Sequence, residues 1–232
     1  MSDKYNIAVI LAAGNGSRFG NDIPKQFIEV ENKTIFEYAV EKFEINQNIN
    51  EIAIVANFIF VEKIKEIIKK NNWKKIKLVL IGGKERFDSS FVAVRAFANK
   101  KNTNIIFHDA ARPLVSSDII NNVINALKYY NAVNTAVAIT DTIVKINNEK
   151  QIIEIPNRNN YLKCQTPQAF NIETIKQAYE NGLKDKNFTA TDDCSIVKKY
   201  LPNEKIFIVN GEERNIKITY MEDIFVFKSL IK

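Results

Sequence analysis

Residues 11–26, Leu-Ala-Ala-Gly-Asn-Gly-Ser-Arg-Phe-Gly-Asn-Asp-Ile-Pro-Lys-Gln, set Gly14, Gly16 and Gly20 among the cations Arg18 and Lys25, directly after an apolar run over 7–11. Glycine lets backbone N–H groups approach a ligand closely, and consecutive N–H groups in such a turn make a nest for an anion. Arg18 and Lys25 add positive charge to the same loop, and Pro24 fixes the backbone just ahead of the lysine. A strand, a glycine-rich loop and paired cations suit a triphosphate. Three other readings compete. A dinucleotide fingerprint has its last glycine one residue earlier and finds no use for Arg18 or Pro24-Lys25-Gln26. A P-loop needs lysine directly after its last glycine, and Asn21 stands there. An ordinary turn with solvated charges remains open on this stretch alone.

Further residues with chemical potential follow other apolar runs. Asp109 ends the run over 104–108, where a hard carboxylate oxygen beside a phosphate loop would suit Mg²⁺ shared with the phosphates; the alternative is an Asp capping the next turn. His108, the single histidine, lacks a recognisable acid–base partner and reads as a packed residue, which also weakens any hydrolase reading. Gly82-Gly83-Lys84-Glu85-Arg86 with Ser89 offers bare backbone against which a flat base could lie. Thr166 and Gln168 flank Pro167 in what reads as a stiff polar loop. Lys217 falls in a run over 215–219 that reads as a strand, with Ile216 and Ile218 on one face and Lys217 on the other; a solvent-facing lysine is the alternative.

These residues must be held by alternating elements. Strands are expected over 7–11, 52–56, 77–81, 104–108 and 133–139. Helices are expected over 35–44, 58–70, 88–99 and 117–130, the first opened by a Thr34/Glu37 capping box. Strand then helix, repeated, predicts an α/β fold: a doubly wound, mostly parallel sheet covered on both faces, with ligands at the carboxyl ends of its strands. Three suspicious loops, 14–25, 82–86 and 109–112, meet on that edge. The pattern breaks after 139. Residues 141–146 and 151–155 read as a hairpin that needs a packing partner. Helices over 171–181, 191–200 and 221–230 and strands over 206–209 and 215–219 complete the reading.

The chain has 232 residues, 46% of them hydrophobic, enough for one sizeable domain or two small ones, and no linker or repeat divides it. A formal charge of +6 favours anionic ligands. Lys63, Lys65, Lys69 and Lys70 sit at helical spacing as a solvated face, and no block of like charge suits an extended nucleic-acid surface. Cys164 and Cys194 form no metal spacing and read as small buried side chains in a reducing compartment. The first residues read as a strand rather than a signal segment, and no apolar run reaches bilayer length. The expectation is a cytoplasmic protein without nucleic-acid or membrane partners.

The runs AAGNGSRFG with PKQF, GGKERFDSS, HDAARP, QTPQAF, TATDD and NIKIT occur in this order over nearly the whole chain. Together they resemble the cytidylyltransferases that couple CTP to an alditol phosphate, a family with isoprenoid-pathway members acting on methylerythritol 4-phosphate and surface-polymer members acting on ribitol 5-phosphate. Ile155-Pro156-Asn157-Arg158 is similar to the ribitol enzymes, while Leu11-Ala12-Ala13-Gly14 is closer to the isoprenoid group. The resemblance implies one nucleotidyltransferase-type domain over 1–232 with a protruding dimerisation arm at 141–155, making a homodimer in which Arg158 reaches the neighbouring subunit. It implies CTP on Ala12, Ala13, Gly14, Asn15, Gly16, Gly82, Gly83, Arg86, Ser89 and Ala110, and Mg²⁺ on Asp109. It further implies catalytic roles for Arg18, Lys25 and Lys217, and a polyol phosphate on Thr142, Arg158, Thr166 and Thr191. Lys84 stands where the family often has Asp, so contact with the base there falls to backbone.

Overall fold

The structure, a computed structural model, describes residues 4–14 and 24–231. Strand β1 (Tyr5–Ala12) leads to the glycine loop. A 3-10 turn at Lys25–Phe27 and a small ribbon, β2 (Glu29–Val30) with β3 (Lys33–Thr34), bring the chain to helix α1 (Ile35–Glu44). Alternation continues through β4 (Glu51–Ala56), α2 (Val61–Asn71), β5 (Ile76–Ile81), α3 (Arg86–Phe97), β6 (Thr103–Asp109), α4 (Ser117–Ala126) and β7 (Ala132–Ala138). The last third holds β8 (Lys145–Ile146), β9 (Ile152–Glu154), β10 (Leu162–Asn171), α5 (Ile172–Gly182), α6 (Asp193–Tyr200), β11 (Ile206–Asn210) and α7 (Glu222–Leu230).

Seven strands form the central sheet in the order β11-β7-β10-β6-β1-β4-β5. Only β10 runs against its neighbours, antiparallel to β6 and β7. The period-2 alternation of β1 sends Ala8, Ile10 and Ala12 to one face, against Phe36 and Phe43 of α1, Ile64 of α2 and Val123 of α4. Ile7 and Val9 go to the other, against Phe97 of α3, Ile175 of α5 and Val197 of α6. Both faces are covered, which is why the inner strands read as continuous apolar runs. From β1 the chain crosses to β4 and β5 on one side and returns to β6 on the other. The strand order therefore reverses between β1 and β6, where open α/β sheets leave a crevice at their carboxyl ends.

The capping box expected at α1 is present. The Glu37 N–H donates to Thr34 Oγ1 at 3.1 Å, and the Glu37 carboxylate accepts the Thr34 N–H at 2.8 Å. Thr34→Ala should lower stability by about 1 kcal/mol, a loss of about 2–4 °C in Tm measured by calorimetry.

Three segments differ from the sequence reading. Residues 162–171 form the strand β10 rather than a loop. Its central polar side chains are buried because they find partners: Gln168 Nε2 donates to Asn134 Oδ1 at 3.1 Å, and Thr135 Oγ1 donates to the Pro167 carbonyl at 2.7 Å. Pro167 follows a cis bond and sits where the pairing with β7 shifts register, so no ladder donor is needed from it. Residues 215–219 are not a strand. Their anchors are the Ala111 carbonyl, which accepts the Ile218 N–H at 2.8 Å, and Asn215 Nδ2, which donates to Gln165 Oε1 and the Thr166 carbonyl. The apolar alternation there reflects Ile218 packing with Ile35, Leu114 and Phe227 instead of sheet pairing. The hairpin pairs β8 with β9, and its regular part is shorter than expected, two residues against three.

Candidate active site

Side chains and backbone from four segments meet over the carboxyl ends of β1 and β6. Leu11 pairs with Asp109 in register, and the Ala110 N–H continues the ladder onto the Leu11 carbonyl at 3.0 Å. This locks the glycine-loop entrance beside the Asp109 loop. Gln26 pins the same entrance from the far side: its Nε2 donates to the Ala12 and Gly14 carbonyls, both at 2.9 Å. Gly82 brings the third segment close, since a Cβ there would lie 2.5 Å from Ala13 Cβ and 2.7 Å from Ser89 Oγ. Only a residue without a side chain lets these loops touch.

The resulting cleft has a volume of about 370 Å³, the size of a small-ligand site. Ala12, Ala13, Gly14 and Lys25 line one side, Gly83, Arg86 and Ser89 another, and Asp109, Ala110 and Lys217 the floor. Lys217 Nζ lies 2.7 Å from Asp109 Oδ2, and Arg86 Nε lies 3.3 Å from Asp109 Oδ1. Burial pushes the Asp109 carboxyl up, but Arg86 and Lys217 outweigh it and hold the group far below the usual carboxylate range. Asp109 is thus ionised, and its two cations are fixed in the lining of the cleft.

His108 is fully buried behind this floor. Its Nε2 donates to the Arg112 carbonyl at 2.9 Å, and its Nδ1 faces Thr166 Oγ1 at 3.1 Å. Thr166 Oγ1 in turn accepts the Asp109 N–H at 3.1 Å. Burial lowers the imidazole pKa to about 4. His108 and Thr166 therefore brace the end of β6, and neither lines the cleft.

Among the described residues, no group of three His, Cys, Asp or Glu side chains could hold a metal ion by itself. Two carboxylates line the cleft, exposed Glu85 and buried Asp109. A divalent ion there would take a carboxylate oxygen and complete its shell from nucleotide phosphates and water, the arrangement Mg²⁺ prefers, so the residues present fit such an ion.

Residues 6–232 match the family model described as IspD, 2-C-methyl-D-erythritol 4-phosphate cytidylyltransferase. The chain belongs to the IspD family of cytidylyltransferases. It is 42% identical over 234 residues to the bifunctional ribulose 5-phosphate reductase/CDP-ribitol pyrophosphorylase Bcs1 of Haemophilus influenzae, a match to all of this chain and 49% of that protein. The chain therefore spans about half the length of that relative. It is 39% identical to the 2-C-methyl-D-erythritol 4-phosphate cytidylyltransferase of Clostridium tetani, over 98% of this chain and 90% of that one. The crystal structure of 4-diphosphocytidyl-2C-methyl-D-erythritol synthase from Anaerococcus prevotii superposes with a TM-score of 0.87 at 30% identity, covering 99% of this chain and 96% of that one.

The cytidylyltransferase cleft gathers most residues singled out from sequence as nucleotide ligands. Asn15, Gly16 and Arg18 lie outside the described residues. Thr142 and Arg158 are exposed, before β8 and after β9 respectively, and Thr191 is exposed just ahead of α6; none lines the cleft. Arg158 Nη1 donates to the Thr140 carbonyl. Sequence reasoning assigned no role to Gln26, Asp193 or Asn215. Asp193, from the first turn of α6, is fully buried, and its Oδ2 accepts Arg86 Nη1 at 2.6 Å. The run TATDD drew attention to the position, but nothing in its spacing names Arg86 as the partner.

Proposed function

We propose that this protein transfers the cytidylyl group of CTP to D-ribitol 5-phosphate, releasing pyrophosphate and giving CDP-ribitol for teichoic acid or capsule synthesis in the cytoplasm. Cytidylyl transfer is the family's reaction; the acceptor is the open part. The observation that carries the ribitol reading is Ile155-Pro156-Asn157-Arg158, joined by higher identity to the bifunctional relative whose name includes CDP-ribitol pyrophosphorylase than to the C. tetani methylerythritol enzyme. The methylerythritol reading is favoured by the family model's description and by Leu11-Ala12-Ala13-Gly14. Pyrophosphate release with CTP, Mg²⁺ and each acceptor in parallel tests the choice. Release with ribitol 5-phosphate alone supports the first reading, and release with methylerythritol 4-phosphate alone replaces it.

In this reading the acceptor's phosphate oxygen attacks the α-phosphorus of CTP in line, and pyrophosphate leaves. A phosphate monoester has a second pKa of about 6, so the nucleophile is already dianionic at neutral pH and needs no general base. The chain supplies positioning and charge. Gly14, Gly83 and Ser89 seat the nucleotide; Lys25, with Arg18, meets charge developing on the α- and β-phosphates; Lys217, held on Asp109, faces the phosphates from the floor. Asp109 would hold Mg²⁺, which when bound would neutralise phosphate charge. kcat/KM should fall as pH drops below about 6, where the acceptor phosphate takes up its second proton. No step should arise from His108, whose burial keeps it neutral down to about 4. An acid limb steeper than the single proton taken up by the phosphate would contradict this.

The enzyme is further proposed to act as a homodimer through the arm at 141–155. Val144, Ile146, Ile152, Ile153 and Ile155 are large apolar side chains exposed along it, an apolar surface of the kind that marks an interface. Arg158→Ala should raise the acceptor KM at least ~10-fold, the scale for losing a charge-assisted contact, with little change in the KM for CTP. Mixed dimers of Arg158→Ala and Lys25→Ala subunits should regain activity, because one of their two sites then holds both residues. Equal changes in both KM values, or inactive mixed dimers, would count against the assignment.

A further inference from the structure

Arg86 opens α3 on the cleft wall, and its guanidinium is gripped at two edges by carboxylates from two separate elements, the end of β6 and the start of α6. Asp109 Oδ1 takes Nε at 3.3 Å, and Asp193 Oδ2 takes Nη1 at 2.6 Å. The third nitrogen, Nη2, is buried and has no hydrogen-bond partner among the described residues. Asp193 is itself fixed. The Tyr179 hydroxyl donates to its Oδ1 at 2.9 Å, and its backbone N–H donates to Gln168 Oε1 at 3.1 Å.

We propose that Asp193 is a positioning residue for the nucleotide: it sets the plane of the Arg86 guanidinium, and with it the edge that Arg86 turns to CTP bound in the cleft. Three observations carry this. First, Asp109 alone cannot define the plane, because it is shared with Lys217 and reaches only Nε. An arginine stem has several rotatable bonds, and a second contact at Nη1 removes that freedom before the ligand arrives. Second, Asp193 is fully buried and only a quarter of the Arg86 side chain is exposed; such an ion pair contributes little net stability relative to apolar packing, whereas its geometry is specific, which fits an orienting role. Third, the anchor is rigid: Asp193 lies in α6 directly after its cap Asp192, whose Oδ2 accepts Gln168 Nε2 at 2.7 Å from β10.

The proposal rests on the nucleotide reading of the cleft, so CTP binding is measured directly by calorimetry alongside steady-state kinetics. Asp193→Asn keeps the side-chain volume and removes the charge. It should weaken CTP binding ~10- to 100-fold, the scale of a misplaced site group, while the acceptor KM at saturating CTP moves much less. In an Arg86→Gln background the same change should add nothing to CTP affinity, because Asp193 acts through Arg86. Tyr179→Phe, which loosens Asp193 without leaving a charge unpaired, should weaken CTP binding in the same sense by a smaller factor, and carries the test if Asp193→Asn does not fold. A folded Asp193→Asn with wild-type CTP affinity, an effect that persists in the Arg86→Gln background, or equal changes in both KM values would overturn the positioning role. So would unchanged CTP affinity in Tyr179→Phe where that variant carries the test. Wild-type protein that binds no CTP would instead overturn the nucleotide reading itself.

Discussion

Lys25→Ala should lower kcat by ~100-fold or more while changing the KM for CTP far less. Lys25 begins the 3-10 turn that follows Pro24, whose backbone angles of φ −57° and ψ 139° lead the chain into the cleft wall. The next residue, Gln26, ties this turn to the Ala12 and Gly14 carbonyls, so the lysine is carried by the same frame that holds the glycine loop. A charge held rigidly where negative charge grows stabilises the transition state more than the ground state, because the frame needs no reorganisation as the reaction proceeds. The loss therefore appears in kcat. Lys25→Arg keeps the charge but replaces a compact ammonium by a planar fork, and should recover only part of the rate. Steady-state kinetics and calorimetric CTP affinity separate the two parameters. Near-normal turnover in Lys25→Ala would remove Lys25 from the catalytic set, and a matching loss of CTP affinity would make it a ground-state ligand.

The parts of the fold legible in the sequence are those written in local periodicity. The runs 7–11 and 52–56 are apolar at every position, and 104–108 at its three central ones, because β1, β4 and β6 are buried on both faces, and Thr34 and Glu37 announce α1 through contacts three residues apart. Chemistry at strand ends was legible from the same pattern: Gly14 and Asp109 follow the buried strands β1 and β6, and Gly83 follows the edge strand β5. What was not legible depends on distant pairings. β10 hides because its polar centre is satisfied by β7 and by Asn215, and a polar stretch with a proline reads as a loop when its partners are unknown. Lys217 reads as a solvent-facing residue, since its alternation with Ile216 and Ile218 mimics a strand. Its place on Asp109 follows from the Ile218–Ala111 hydrogen bond, which joins segments over a hundred residues apart in sequence. Asp193 is the extreme case, a buried carboxylate whose role is defined by Arg86 on another helix.

Asp109→Asn should abolish most activity and also reveal which of two duties Asp109 performs. The carboxylate holds Arg86 and Lys217, and it is the oxygen donor proposed for Mg²⁺. The amide keeps the size and one acceptor oxygen but not the charge. If the residue only tethered its two cations, kcat would fall and the Mg²⁺ concentration for half-maximal rate would stay where it is. If it also ligates the ion, that concentration should rise at least ~10-fold, since a neutral amide oxygen is a weaker partner for a hard divalent cation than a carboxylate. The second outcome is expected. Each Asp109 oxygen has lone pairs beyond those facing Arg86 and Lys217, and no cluster of ligating side chains among the described residues offers the ion another seat. Stability gives an independent check. Arg86 retains Asp193 in this variant, so no buried guanidinium is left without a counter-charge, and the wild-type Tm should be nearly kept. A variant that melts far below wild type would mean that Asp109 is chiefly a structural counter-ion, and its kinetic losses would then say nothing about the metal.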